Sequence, residues 1–222
     1  MGTLYLVRHG QASFGAADYD QLSELGTRQC HALGAWFAER GVVFEAVLRG
    51  TLRRHVQSLA ALEEGFGRLP AAVAWPGLNE YDSEALIRCI HPGPLAKPDT
   101  PEVYRAHFRL LREALAAWME GRSRPAGMPS WADFSAGVAA ALEHVRRHHS
   151  GDVLLVSSGG PIATAVQQVL GAPAATMVEL NMRIRNSALT EFSVSPKRHA
   201  LLSFNHLPHL LAAERRGWET WA

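Results

Sequence analysis

Apolar positions along the chain fall into two patterns. Short runs at residues 3–7, 44–48, 71–75 and 153–156 have the length and β-branched content of strands. Between them, large apolar residues recur every three or four positions, as on one helix face. Leu22, Leu25, Leu33, Trp36 and Phe37 keep that spacing from the potential N-cap Ser23 to Arg40-Gly41, and a second helical pattern fills 52–66, closed by Gly65 and Gly67. Thr100 and Pro101 can open a third helix, with Val103, Phe108, Leu111, Leu115 and Met119 inward. Ser130, with Asp133 three residues on, opens a fourth through Phe134, Val138, Leu142 and Val145. Pro161 opens the last, over 162–170, ending at Gly171. The run Val153-Leu154-Leu155-Val156 is apolar throughout and predicts a central strand covered on both faces. Alternating runs at 188–194 and 199–204 predict edge strands, and 11–20 reads as a loop.

Strands alternating with helices predict an α/β architecture: a three-layer sandwich with a mostly parallel central sheet flanked by helices. Pro92, Gly93, Pro94, Pro98 and Pro101 mark one linker and residues 121–129 another. Residues 91–130 are therefore expected to form a helical insertion over the carboxyl ends of the strands, within a single domain spanning 1–222. No internal repeat interrupts this order.

Composition narrows the partners. Lys and Arg total 22 against 21 Asp and Glu, a net charge of +1 that provides no field for nucleic acid or an anionic membrane. No apolar run approaches the roughly 18 residues of a membrane span. The N-terminus has no signal-peptide pattern, and the two cysteines, Cys30 and Cys89, lack metal or disulfide spacing. A cytoplasmic protein with free thiols is expected.

Candidate chemistry collects where strands end. Arg8 and His9 follow the first, Arg54 the second, Glu80 the third, and Ser157-Ser158-Gly159-Gly160 the fourth. In a parallel sheet those ends converge on one crevice, where ligands bind. Two guanidiniums offer paired donors to phosphate oxygens, and the helix after Ser158 would add free N–H groups and the positive end of its dipole. A histidine whose far nitrogen is held as N–H by a carbonyl can attack phosphorus with the near one. A glutamate opposite can protonate the leaving oxygen.

Leu6-Val7-Arg8-His9-Gly10-Gln11, followed by Leu22-Ser23-Glu24-Leu25-Gly26, resembles the opening of the histidine phosphatase superfamily, which includes the phosphoglycerate mutases. The resemblance runs from Thr3 to about Leu170. It implies a single phosphoglycerate mutase-like domain, His9 as the residue that becomes phosphohistidine, and Arg8 as a phosphate ligand. The family stretch Ser-x-Leu-x-Arg-x-x-x-Thr is read here as Gly50-Thr51-Leu52-Arg53-Arg54-His55-Val56-Gln57-Ser58, which selects Arg54 as the second phosphate ligand. Leu78-Asn79-Glu80-Tyr81-Asp82 resembles the segment carrying the acid, Glu80. No metal or other cofactor is implied.

Two positions depart from the pattern. Where the family usually has Ser-His-Gly-Gly, this chain has Ser157-Ser158-Gly159-Gly160, leaving the Ser158 hydroxyl and the Gly159 loop to meet phosphate. Gly15 stands where many members carry asparagine. Losing one preorganised donor typically costs about 10²–10³ in rate. His206 and His209, with Arg183 and Arg185, are candidates to fold back and replace the missing histidine. His144 and His148, four apart on one helix, are a possible metal pair but lack a His-Glu-x-x-His arrangement. The expected activity is metal-independent phosphomonoester hydrolysis through phosphohistidine, by a histidine acid phosphatase-like enzyme acting on a small phosphorylated substrate or a phosphoprotein. The alternatives are phosphotransfer of the mutase type, against which stands the lack of a long basic substrate-clamping segment, and a pseudo-enzyme that binds a phosphorylated ligand without turnover.

Overall fold

The first strand, β1 (Gly2–Arg8), sends Leu4 and Leu6 to one face of a sheet and Val7 to the other. This is the strand repeat of two, and both faces are apolar because both are covered. A computed structural model describes residues 2–13, 20–94 and 100–221. The chain continues through α1 (Glu24–Glu39), β2 (Phe44–Arg49), α2 (Arg53–Phe66), β3 (Ala72–Ala74), α3 (Ser83–Ile90), α4 (Pro101–Met119) and α5 (Trp131–His148). It then forms β4 (Asp152–Ser157), α6 (Gly159–Val169), α7 (Ala175–Asn181), β5 (Leu189–Val194) and β6 (His199–His206).

The six strands lie in the order β3-β2-β4-β1-β5-β6. The first four are mutually parallel, whereas β5 runs antiparallel to β1 and β6 antiparallel to β5. Val47, Leu154 and Val156 pack with Leu33 and Phe37 of α1 and Leu59 and Leu62 of α2 on one face. Leu48, Val153 and Leu155 pack on the other with residues of α3 to α7. Helix, sheet and helix thus form three layers, as the sequence pattern predicts. Each fully buried leucine or phenylalanine contributes about 1.5–3 kcal/mol, so the layers hold the strand ends rigidly. α4 buries Leu111, Ala114, Leu115 and Trp118 in the same cluster as β1 and β4.

The helix starts follow the capping chemistry of the sequence. Ser23 Oγ accepts from Gly26 N at 3.0 Å, Thr100 Oγ1 from Val103 N at 3.3 Å and Ser130 Oγ from Asp133 N at 3.1 Å. Three expectations need correction. β5 is not an edge strand: it is paired on both sides, and its alternation reports one polar face, not an open edge. α6 begins at Gly159 rather than Ile162, because a proline third in a helix sits where no intrahelical N–H bond is needed. The helices α3 and α7 lack any counterpart in the sequence reading, being too short at 8 and 7 residues to develop a periodic face. Among the described residues, no helix is long and apolar enough to cross a membrane.

Candidate active site

Pairing register brings the candidate residues together. Arg8 stands opposite Ser157, and Arg49 opposite Val156 and Ala74, so the segments leaving β1, β2, β3 and β4 emerge side by side at one end of the sheet. Backbone bonds fix the junction: His9 N donates to Ser157 O at 2.8 Å, and Ser187 N donates to His9 O at 3.1 Å.

The His9 ring is buried, with Nδ1 2.7 Å from the Gly10 carbonyl oxygen. A carbonyl only accepts, so Nδ1 carries the hydrogen and Nε2 is left with its lone pair. Gly10 is itself held through its N–H, which donates to Ser58 Oγ at 3.0 Å. Burial, then the charges of Arg8 and Arg54 and the neighbouring His55, keep the His9 pKa well below that of a free imidazole, although the Gly10 hydrogen bond opposes them. His9 is therefore held neutral, with its Nε2 lone pair available.

Arg54 is buried and Arg53 exposed, although they are consecutive residues in the first turn of α2. Asp20 orients Arg54: its Oδ1 accepts from Arg54 Nη1 at 2.8 Å, while its Oδ2 takes the Arg53 backbone N–H at 2.8 Å and so helps cap a helix that lacks a cap of its own. Arg8 Nη1 donates to the carbonyls of Ile184 and, at 2.8 Å, Trp221. The chain end thus reaches back to the first strand.

Glu80 is half-buried and lies on the N-terminus of α6, where Oε2 accepts from Gly160 N at 3.0 Å. A side chain at residue 160 would displace Glu80 or Tyr81, because a Cβ there would fall 2.1 Å from Glu80 Oε1 and 2.6 Å from the Tyr81 ring. Burial raises the Glu80 pKa, against the opposing pull of the Gly160 N–H and of Arg54 and Arg8. Tyr81 OH accepts from Asn181 Nδ2 at 2.6 Å. A Cβ on Gly159 would lie 2.4 Å from Asn181 Oδ1 and 3.9 Å from Arg8 Nε, so Gly159 is also at the crevice.

Ser158 is fully buried, with its Oγ 2.7 Å from His55 Nε2. The imidazole next to Ser158 is thus neither His206 nor His209. His206 is exposed at the end of β6, and His209 places Nε2 2.9 Å from Ser187 Oγ, behind the His9 backbone. Arg183 is exposed, and Arg185 bonds Asn205 and Glu219. Asp20, His55, Asn181 and the Trp221 carbonyl have no place in the sequence-derived site. Only His55, beside Arg54 in the same helical turn, carried a signal. Gly15 lies outside the described residues. The His144 and His148 rings are 4.8 Å apart, but among the described residues no group of three or more His, Cys, Asp or Glu is arranged to hold a metal ion.

The histidine phosphatase superfamily (branch 1) model matches residues 4–207. The chain belongs to the histidine phosphatase superfamily. No curated protein sequence matches it significantly. Solved structures of the same fold include a mutant phosphoserine phosphatase from Entamoeba histolytica bound to phosphoserine, at TM-score 0.65 and 19% identity over 95% of this chain and 100% of that one. The mycobacterial glucosyl-3-phosphoglycerate phosphatase aligns at 0.63 and 24% over 92% and 99%, and the α-ribazole phosphatase from Shigella flexneri at 0.65 and 19% over 92% and 96%.

Within this histidine phosphatase fold the buried imidazoles carry a stability consequence. Burial first, then nearby arginines, pushes His55 and His209 down to about 3. Both titrate near 6.5 once unfolded, so the unfolded chain binds more protons between those values and stability falls as pH drops through that window. At pH 4.5 each costs on the order of 3 kcal/mol, and together they approach the lower end of the usual margin of about 5–15 kcal/mol. Urea midpoints measured from pH 7 to 4 should fall steeply below about 6.5, and His209→Gln should make that slope shallower.

Proposed function

We propose that the protein is a metal-independent phosphomonoester hydrolase working through phosphohistidine at His9. The observation that carries this reading is the Nδ1–H bond from His9 to the Gly10 carbonyl, which leaves the Nε2 lone pair free in a crevice shared with Arg8, Arg54 and Glu80. Nε2 attacks phosphorus, the ester P–O bond breaks, and protonated Glu80 gives its proton to the leaving oxygen. Arg8 and Arg54 hold the equatorial oxygens. Water then attacks the phosphohistidine, giving its proton to the Glu80 carboxylate, and inorganic phosphate departs from a regenerated His9.

The named substrates of the structural relatives, phosphoserine, glucosyl-3-phosphoglycerate and α-ribazole phosphate, are small monoesters, and a substrate of that class is proposed here. Tyr81, next to Glu80, packs its ring 5.8 Å from Trp118 of α4 and 6.1 Å from Phe134 of α5. Residues 91–130, which include α4, are accordingly proposed to border the mouth and select the ester group. Cys30 and Cys89 are free thiols, which favours a reducing compartment such as the cytoplasm.

The test is phosphate release from a panel of alkyl and aryl monoesters by wild type and Glu80→Gln. Alkyl leaving groups need the proton, so the variant should lose about 10²–10⁴ on them and far less on aryl esters. The wild-type rate on alkyl esters should fall as pH rises through the raised Glu80 pKa, because only the protonated acid is competent. Equal losses on both ester classes would remove Glu80 from the role of acid, and no hydrolysis of any ester would leave a binding protein.

A further inference from the structure

Ser158 is the N-cap residue of α6, yet its hydroxyl makes no capping bond to that helix. It faces His55 Nε2 instead, 2.7 Å away. His55 is wholly buried, and its ring centroid lies 6.0 Å from that of His9. Among the described residues its second nitrogen, Nδ1, has no hydrogen-bond partner. An added Cβ on Gly50 would fall 2.1 Å from that atom, so the ring occupies the space that any side chain at position 50 would need. Sealing one nitrogen away from every partner carries a desolvation cost, commonly about 1–3 kcal/mol. That cost is unexplained if His55 merely fills space, which an apolar ring would do without it.

We infer that His55 is a positioning residue that turns Ser158 into a phosphate donor: His55 Nε2–H donates to Ser158 Oγ, and the Ser158 O–H donates to an oxygen of the transferring phosphoryl group. This role presupposes the phosphohistidine reading above. Location supports it, because the residue before Ser158 pairs with Arg8 and accepts the His9 N–H, and two residues after it Gly160 N holds Glu80. Ser158 therefore sits among the four groups that surround the phosphoryl.

Tautomer chemistry sets the direction of the chain of donors. His55 is neutral, held so by burial and then by Arg54 and Arg49, and a neutral imidazole has one N–H. If Nδ1 held it, a buried N–H would lack an acceptor, which folded proteins tolerate less than an unused acceptor. Ser158 would then donate to Nε2 and present only lone pairs to the anion. With the hydrogen on Nε2, the sealed nitrogen is the acceptor and the serine proton points at phosphate. Burial and anion select the same tautomer.

Two measurements decide it. In ¹⁵N-labelled wild type with saturating inorganic phosphate, the His55 ring should show a protonated Nε2 and a bare Nδ1; a protonated Nδ1, or no response of this pair to phosphate, would overturn the inference without any reference to turnover. In kinetics, Ser158→Ala should lose about 10²–10³ in kcat, and His55→Phe a smaller part of the same quantity with KM little changed. The double variant should be no slower than Ser158→Ala, since both changes remove one donor. His55→Gln, whose amide can reach the serine, should recover part of the loss. Unchanged kcat in His55→Phe, multiplying losses in the double variant, or equal defects in His55→Phe and His55→Gln would make His55 a packing residue. Should wild type hydrolyse no ester while the phosphate-bound spectrum shows the expected tautomer, the phosphatase reading fails and the donor pair stands.

Discussion

His9→Ala is expected to lose on the order of 10⁴–10⁶ in kcat, the range found when a covalent nucleophile or its partner is removed, and to form no phosphoenzyme. Brief incubation of wild type with substrate, followed by denaturation, should trap a phosphoryl group that is labile in acid and stable in base, as a phosphoramidate is. The expectation follows from the ring's surroundings. The Gly10 carbonyl fixes the tautomer, Arg8 and Arg54 disfavour an imidazolium, and burial disfavours it further. Burial and the two arginines outweigh the Gly10 bond, which by itself would favour the cation, and together with the tautomer they leave a lone pair on Nε2. Label surviving in His9→Ala would place the nucleophile elsewhere, and normal phosphate binding with no label in wild type would favour a pseudo-enzyme. The acid side of the profile should be set by unfolding through His55 and His209 rather than by loss of the nucleophile, because His9 is held neutral by the same burial.

How legible this site is in the sequence depends on what positions each group. Arg8 and His9 stand out because polar residues close an apolar run, and Arg54, chosen over Arg53 by the register of the family stretch, is the buried one of the two. Four apolar runs locate β1, β2, β3 and β4, and their parallel order makes the strand ends converge. The rest is written in contacts without periodicity. Asp20 comes from a loop 34 residues from Arg54, and the Trp221 carbonyl lies 213 residues from Arg8. A main-chain acceptor has no side-chain signature at all. His55 is the instructive case: the residue is visible in the first turn of α2, but its bond spans 103 residues to Ser158, and only the fold joins them. Distant histidines look equally eligible in the sequence, and burial separates them, His209 being tied to Ser187 and His206 open to solvent.

Ser158→His is expected to lower activity in the wild-type background and to raise it when His55 is removed as well. The Ser158 hydroxyl already lies at contact distance from the His55 ring, so an imidazole grown from position 158 meets that ring within its first atoms. Neither ring can retreat, since position 158 is fully buried and His55 is walled by Gly50 on its far side. Overpacking of this kind costs about 1–3 kcal/mol in stability, and the displaced donor costs about 10²–10³ in kcat. Ser158→His combined with His55→Ala empties the space the new ring needs. Its N–H can then reach the phosphoryl oxygens directly, and kcat should recover by about 10²–10³ over the single variant. His55→Ala alone should stay slow, because the serine then loses the group that directs its proton. The result is a double-mutant cycle in which two harmful changes are less harmful together, measured as kcat on one ester and urea midpoint for each variant. If Ser158→His by itself speeds the enzyme, the serine is a simple loss and His55 does not take its place. If the double variant is slower than both singles, position 158 does not face the phosphoryl group.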